Sequence, residues 1–121
     1  MIYFASDGRR DSPIKIGFSC DPEARCRRLE RQIGRPLGVS AVMPGGIVVE
    51  ESLHRRFADG RLRGEWFAAD TPGLRELISD VLHFEGFWPE DTESPGIRRV
   101  LAVLAEVGYV VPAGAYADGW E

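Results

Sequence analysis

The sequence predicts one α+β domain in which a small three-stranded sheet, antiparallel or mixed, is flanked by helices and followed by a C-terminal helical extension. Short runs rich in β-branched and aromatic residues alternate with longer segments whose apolar residues recur every three or four positions. With 121 residues, of which 44% are hydrophobic, the chain can bury one ordinary core and is too short for two. Together these observations predict a ββαβαα order of elements.

The first two elements are predicted to form a β-hairpin. Residues 2–5 (IYFA) are rich in strand-forming side chains, and residues 13–18 (PIKIGF) alternate as a second strand. The polar segment between them, residues 6–12, contains a glycine and two arginines, which is typical of a long turn.

The first helix is predicted from its two ends and one apolar stripe. Asp21 is a candidate N-cap, Pro22 suits the first helical position, and Gly34 suits the C-terminus. Between these ends apolar residues recur at intervals of four, three and four positions: Pro22, Cys26, Leu29 and Ile33. This stripe is expected to be the buried face.

A third strand is predicted over residues 37–43, where apolar and other residues alternate. The alternation places one set of side chains on a common face: Val39, Ala41 and Met43. The segment Pro-Gly-Gly at residues 44–46 closes the strand.

Two more helices are expected, over residues 47–58 and 73–82, separated by a basic turn at residues 59–64 and a short aromatic segment. The first of them buries three apolar residues spaced four apart: Val49, Leu53 and Phe57. Glu50 and His54 lie on the flank of this stripe, also four apart, so their side chains rise from one helical face about one turn from each other.

The C-terminal part differs in character, which divides the chain into a domain at residues 1–82 and an extension at residues 83–121. Residues 83–96 form an acidic, proline-containing loop, and residues 97–107 carry the apolar spacing of a fourth helix. The net charge of −4 hides an asymmetry, because residues 1–64 sum to +4 and residues 65–121 to −8. The front half can therefore present an electropositive face to an anionic partner.

Composition also excludes several classes of protein. No apolar stretch approaches the roughly 18 to 20 residues that span a bilayer, and the N-terminus resembles no cleavable leader, so we expect a cytoplasmic protein without membrane contact. The two cysteines, Cys20 and Cys26, fit neither a disulfide framework nor a zinc site, and Cys26 is expected to be a core residue.

An ordered series of short motifs runs over residues 1–80. The series comprises Ile2-Tyr3-Phe4, Lys15-Ile16-Gly17, Arg25, Glu50, His54 and Glu65-Trp66-Phe67. The individual pieces are weak signals, but their order and the eight-residue step from Gly17 to Arg25 agree with the layout of elements inferred above. The series resembles the GIY-YIG endonuclease superfamily, in a short branch that has K-I-G in place of Y-I-G.

The resemblance implies a metal-dependent endonuclease that hydrolyses phosphodiester bonds of nucleic acid, expected to be DNA. Glu50 matches the glutamate that holds one Mg²⁺ or Mn²⁺, and a hard cation suits a carboxylate with waters. Arg25 matches the arginine that stabilises charge on the phosphate. Three further arginines are candidate phosphate contacts: Arg28, Arg55 and Arg56.

The same resemblance makes Tyr3 the candidate base, acting on or aligning the attacking water. Lys15 replaces the second tyrosine of the family, and we expect its charge to lower the pKa of Tyr3 and to neutralise phosphate. His54 is a candidate proton shuttle or phosphate donor. Glu65-Trp66-Phe67 is expected to anchor the core, with Glu65 orienting an arginine.

Other interpretations of these residues stay open. From chemistry alone, Glu50 also fits a solvated helix residue, Arg25 a surface salt bridge, Lys15 an exposed strand residue and His54 a structural histidine. The family's late asparagine has no counterpart, because the chain contains no asparagine. The alternatives at the level of function are a degenerate domain that binds nucleic acid without cutting, and an assembly module that binds a protein partner or a second copy through residues 90–121.

Overall fold

In the computed structural model, which describes residues 1–84 and residue 102, the chain folds as an α+β domain, and the predicted fold class is confirmed. The described residues form five strands, three α-helices and one short 3₁₀ helix. In chain order these are β1 (Ile2–Ser6), β2 (Ile14–Phe18), α1 (Pro22–Ile33), β3 (Gly38–Met43), α2 (Ile47–Arg56), the 3₁₀ helix (Ala58–Gly60), β4 (Arg61–Arg63), β5 (Trp66–Phe67) and α3 (Leu74–Phe84).

The predicted fourth helix over residues 97–107 and the proposed partner segment at residues 90–121 lie outside the described residues, apart from residue 102. Both stay predictions, as does the division of the chain at residue 82. No described helix is long and apolar enough to cross a membrane.

The predicted β-hairpin is confirmed, and it forms the middle of the sheet. β1 pairs antiparallel with β2, so that Tyr3 lies opposite Gly17 and Ala5 lies opposite Lys15. The strand order is β3-β1-β2-β5-β4, and every pair is antiparallel. Because cross-strand partners share a face, this register places the side chains of Tyr3 and Lys15 on the same side of the sheet.

The prediction of three strands was incomplete, since β4 and β5 extend the sheet to five. These residues were expected to form a basic turn and an aromatic segment. β4 has three residues and β5 two, too few to show an alternation in the sequence. They are strands because β5 pairs with Ile14 and Lys15 of β2, a contact that exists only in the folded chain.

A β-bulge in β3 overturns the predicted alternation of that strand. Phe4 pairs with Ala41 but the next residue, Ala5, pairs with Val39, so Ser40 is an extra residue without a partner in β1. Val39 therefore packs on the opposite face from Ala41, against the smaller of two apolar clusters.

Apolar side chains pack on both faces of the sheet. On one face α2 and α3 cover a large cluster that includes Phe4, Ile16 and Leu53. On the other face α1 covers a smaller cluster that includes Tyr3 and Cys26. The catalytic residues predicted on β1, β2 and α1 therefore belong to one face, and those predicted on α2 belong to the other.

Both predicted ends of α1 are confirmed. The Asp21 side chain accepts a hydrogen bond from the Ala24 N–H at 3.1 Å, Pro22 opens the helix, and Gly34 ends it at a φ of 72°. Of the predicted stripe Cys26 and Leu29 are buried, whereas Ile33 is 39% exposed because it is the last helical residue, where no further turn covers it.

Replacing Asp21 with alanine is expected to lower the free energy of unfolding by about 1 kcal/mol, because the Ala24 N–H loses its acceptor. Urea denaturation followed by far-UV circular dichroism measures the change. Asp21→Asn, which keeps the acceptor oxygen, is the matched control and should stay within a few tenths of a kcal/mol of the parent. Equal losses in both variants would contradict the capping role.

Candidate functional site

The candidate site lies at the edge of β2, just beyond the point where β5 stops pairing with it. Of the residues of β2, only Ile14 and Lys15 pair with β5, and the next residue, Ile16, forms its hydrogen bonds with other groups. The Ile16 N–H donates to the Glu65 carbonyl oxygen at 2.9 Å, and the Ile16 carbonyl accepts from His54 Nε2 at 2.9 Å. Residues from both faces of the sheet therefore meet at this edge.

Tyr3 reaches this edge by crossing Gly17. The ring of Tyr3 is 1% exposed, and a Cβ on Gly17 would lie 2.6 Å from both the Tyr3 Cζ and the Tyr3 hydroxyl oxygen. No side chain fits there. Because β2 lies between β1 and β5, a ring that starts on β1 and covers Gly17 directs its hydroxyl toward the side of the sheet where β5 ends.

Lys15 is buried beside Tyr3 but is engaged by another residue. Its side chain is 7% exposed, its ammonium forms an ion pair with Glu65 Oε2, and it lies 5.6 Å from the centroid of the Trp66 ring. The expectation that Glu65 orients an arginine was wrong, because its ion-pair partner is Lys15.

The pKa of Tyr3 is raised to about 12, opposite to the predicted direction. Burial is the largest cause, followed by the Cys26 thiol and the negative charge of Glu65. A hydrogen bond and the charge of Arg25 act in the lowering direction but do not outweigh burial. The cation that acts on the phenol is thus Arg25 and not Lys15, whose charge is paired with Glu65.

Arg25 is placed by the start of α1. The Asp21 cap fixes the first turn, and the Arg25 N–H donates to the Asp21 carbonyl oxygen at 3.1 Å, which closes that turn. The Arg25 side chain is half-buried, in contrast to those of Arg27 and Arg28, which are exposed farther round the helix. Arg25 is therefore the cation of this helix that faces Tyr3.

His54 is held as part of the framework of the site. It is 9% exposed, its ring centroid lies 5.3 Å from that of Phe67, and its Nε2 bonds the Ile16 carbonyl. A carbonyl oxygen only accepts, so Nε2 carries a proton in this arrangement. This bond ties α2 to the edge of β2 and sets the direction in which Glu50, one turn earlier, projects.

Glu50 lies in an environment that disfavours its charge. Its carboxyl is partly buried, and its pKa is raised chiefly by burial and then by the negative charge of Glu65, while His54 and Lys15 act in the opposite direction. Glu65 thus links the two sides of the site, since it influences Glu50 on α2 as well as Tyr3 on β1.

Glu65 is the site residue to which sequence reasoning assigned the wrong partner. It was treated as part of a core anchor, since it precedes two aromatic residues. The available signal was its chemistry, because a carboxylate in a short aromatic motif of an otherwise basic segment requires a cationic partner. Which cation serves as partner depends on the pairing of β5 with β2.

The carboxylates of Glu50 and Glu65 fit a hard cation that takes most of its other ligands from water. In the described part of the chain, no group of three or more His, Cys, Asp or Glu residues could hold a metal ion. Two carboxylates, Glu50 and Glu65, do interact, and the raised pKa of Glu50 reflects in part their mutual repulsion. Mg²⁺ is commonly bound by one or two carboxylates together with waters and phosphate oxygens, so the residues present suit it.

The three arginines predicted to contact phosphate differ in their surroundings. Arg28 and Arg55 are exposed, and Arg55 Nη2 donates to Ser52 Oγ at 2.9 Å. The Arg56 guanidinium lies 5.9 Å from the centroid of Phe57 and lines a pocket together with Glu76 of α3.

Comparison with known proteins identifies a family relationship. The model of the T5orf172 domain family matches residues 1–83, which include all five strands and nearly all of α3. No curated protein and no solved structure matches the chain at a significant level.

Proposed function

Because this chain belongs to the T5orf172 domain family, a family of nuclease-like domains, we propose that it is a metal-dependent endonuclease of the GIY-YIG kind that hydrolyses phosphodiester bonds of DNA. The observation that carries the proposal is the assembly at the edge of β2. Tyr3 and Arg25 approach from the α1 face, and Glu50 approaches from α2. The charge of Glu65, the partner of Lys15, acts on both Tyr3 and Glu50.

Arg25 is the residue best suited to the phosphate. Its planar guanidinium can bind two nonbridging oxygens, and its half-buried position strengthens an interaction with a developing negative charge. Its hydrogen bond with Tyr3 would hold the tyrosine hydroxyl beside a phosphate bound to Arg25.

Tyr3 is proposed to align the attacking water and to serve as the candidate base. With a pKa of about 12 the hydroxyl keeps its proton at neutral pH, so in the unliganded protein it acts as a hydrogen-bonding group. Proton abstraction by Tyr3 requires more positive charge nearby than Arg25 supplies. Lys15 is proposed to add charge at the phosphate, and His54 to orient the helix that carries Glu50.

Glu50 is the proposed ligand of one Mg²⁺ or Mn²⁺ ion. When bound, such an ion would polarise the phosphate and compensate negative charge in the transition state. The chain's own contribution is a partly buried carboxylate that is poorly neutralised by its surroundings, as its raised pKa reflects.

The proposed partner is the DNA backbone, contacted through the cationic surface of residues 1–64. Arg28 and Arg55 are exposed and are proposed to position the duplex through phosphate contacts that carry no sequence information. Binding through such contacts weakens as salt is raised.

The decisive experiment is cleavage of duplex DNA by the purified chain with Mg²⁺ or Mn²⁺, compared between Arg25→Ala and Arg27→Ala. Arg25→Ala should lower the cleavage rate by about 10²–10³-fold, the range seen when one donor to a developing anion is removed. Arg27→Ala, an exposed neighbour on the same helix, should stay close to the parent. Equal effects of the two substitutions would reject the role of Arg25.

A second candidate function is binding of nucleic acid without cleavage. It is favoured by the lysine at position 15, by the absence of asparagine from the chain and by the high pKa of Tyr3. Salt-dependent binding of DNA with no product under either divalent ion would select this alternative.

A further inference from the structure

The three consecutive residues Glu65, Trp66 and Phe67 each contact a residue of the candidate site. Glu65 bonds Lys15, Trp66 lies beside Lys15, and Phe67 lies beside His54. Phe67 is buried and Trp66 packs against the smaller apolar cluster, whereas Glu65 is a half-buried carboxylate that core packing does not account for.

Glu65 holds β2 through its backbone as well as its side chain. Its carbonyl oxygen accepts from the Ile16 N–H at 2.9 Å, while its carboxylate pairs with the ammonium of the preceding residue, Lys15. One residue thereby fixes both the strand edge and the end of a long flexible side chain.

The Lys15 ammonium needs such a partner to stay in place. Lys15 is 5% exposed, and a buried ammonium without a counter-charge is strongly disfavoured. Its four-carbon stem also loses rotamer freedom when it is ordered, a cost that an ion pair and a nearby aromatic ring offset. Without Glu65 the side chain would gain by turning toward solvent, away from Tyr3.

We propose that Glu65 is a positioning residue that holds the Lys15 ammonium at the edge of β2, beside the Trp66 ring. An incoming phosphate would replace Glu65 as the partner of this ammonium. The inference rests on the proposed function, because it assigns Lys15 a phosphate to meet. Glu65 acts through Lys15 and is not itself assigned a contact with substrate. An anionic phosphate competes with the Glu65 carboxylate for the same ammonium, which makes the exchange electrostatically reasonable.

The test is a double-mutant cycle of Lys15→Met and Glu65→Gln in the full chain, with kcat and KM for DNA cleavage and the free energy of unfolding measured for all four proteins. Glu65→Gln alone should lower kcat by about tenfold or more at a nearly unchanged KM. In the Lys15→Met background the same change should alter kcat less than about twofold, because its target is already absent. Glu65→Asp should restore part of kcat, and Glu76→Gln, an exposed residue of α3, is the neutral control.

A second measurement does not depend on cleavage. The ¹⁵N-labelled side-chain ammonium of Lys15 should give a resolved NMR signal in the parent chain, since a held and buried ammonium exchanges slowly with water. This signal should disappear in Glu65→Gln and persist in Glu76→Gln. Loss of kcat that is equal in the parent and Lys15→Met backgrounds, or a Lys15 signal unaffected by Glu65→Gln, would overturn the proposal. If the parent chain does not cleave DNA, the proposed function fails, and the NMR result alone decides whether Glu65 positions Lys15.

Discussion

Replacing Glu50 with glutamine should lower the rate of metal-dependent DNA cleavage by at least about 100-fold, because loss of a metal ligand removes several kcal/mol of transition-state stabilisation. Glutamine keeps the shape of the side chain but not its charge. The substitution should not destabilise the fold. The raised pKa of Glu50 means that its ionised form is disfavoured in the folded state, so at neutral pH a neutral side chain should leave the free energy of unfolding unchanged or slightly higher.

Glu51 provides the matched control for this prediction. It is the next residue of α2 and is exposed, so Glu51→Gln changes the net charge equally without entering the site. Cleavage rates at saturating DNA and urea denaturation of both variants give the comparison. A Glu50→Gln protein that cleaves at the parental rate, or one that loses activity only because it unfolds, would refute the assignment of Glu50.

Replacing Gly17 with alanine should damage both stability and cleavage. The added Cβ would lie 2.6 Å from two atoms of Tyr3, so either the ring or the strand must move. Overpacking of this kind costs about 1–3 kcal/mol of unfolding free energy. A displacement of about 1 Å at a reacting group can by itself reduce the rate about 100-fold, so the cleavage rate should fall further than the stability loss explains.

Gly38→Ala is the control for Gly17→Ala. Gly38 also lies in a strand, but a Cβ built on it meets no atom within 4 Å, so this substitution should change stability by less than about 0.5 kcal/mol. Thermal denaturation and DNA cleavage should be measured for both glycine variants under conditions where each remains folded. Similar behaviour of the two variants would mean that the close approach of Tyr3 to β2 has no special role.

Much of the fold could be predicted because its signals are local. The caps of α1 at Asp21 and Gly34 depend only on hydrogen bonds and backbone angles within a few residues of the helix ends. The spacing of Val49, Leu53 and Phe57 follows from the helical repeat of α2, whose C-cap is Phe57, and all three are buried. In the first hairpin, β1 is recognised by its β-branched and aromatic residues and β2 by its alternation.

The errors arose where a long-range contact decides the local structure. The bulge at Ser40 reverses the face of Val39, and no feature of residues 37–43 announces it. β4 and β5 are too short to be recognised without the strand that pairs with them. The partner of Glu65 and the pKa of Tyr3 likewise depend on burial and on charges from distant parts of the chain.

By itself, the sequence determined the α+β class, the helix ends and the set of side chains whose chemistry suits a phosphate, because these properties reside in short segments and in the residues themselves. Only the tertiary structure decided that Lys15 pairs with Glu65, that Tyr3 lies over Gly17 and that the pKa of Tyr3 rises to about 12. The physical reason is that desolvation and Coulomb interactions depend on distance in space, and the distances between these side chains are set by how β2, β5, α1 and α2 meet at one edge of the sheet.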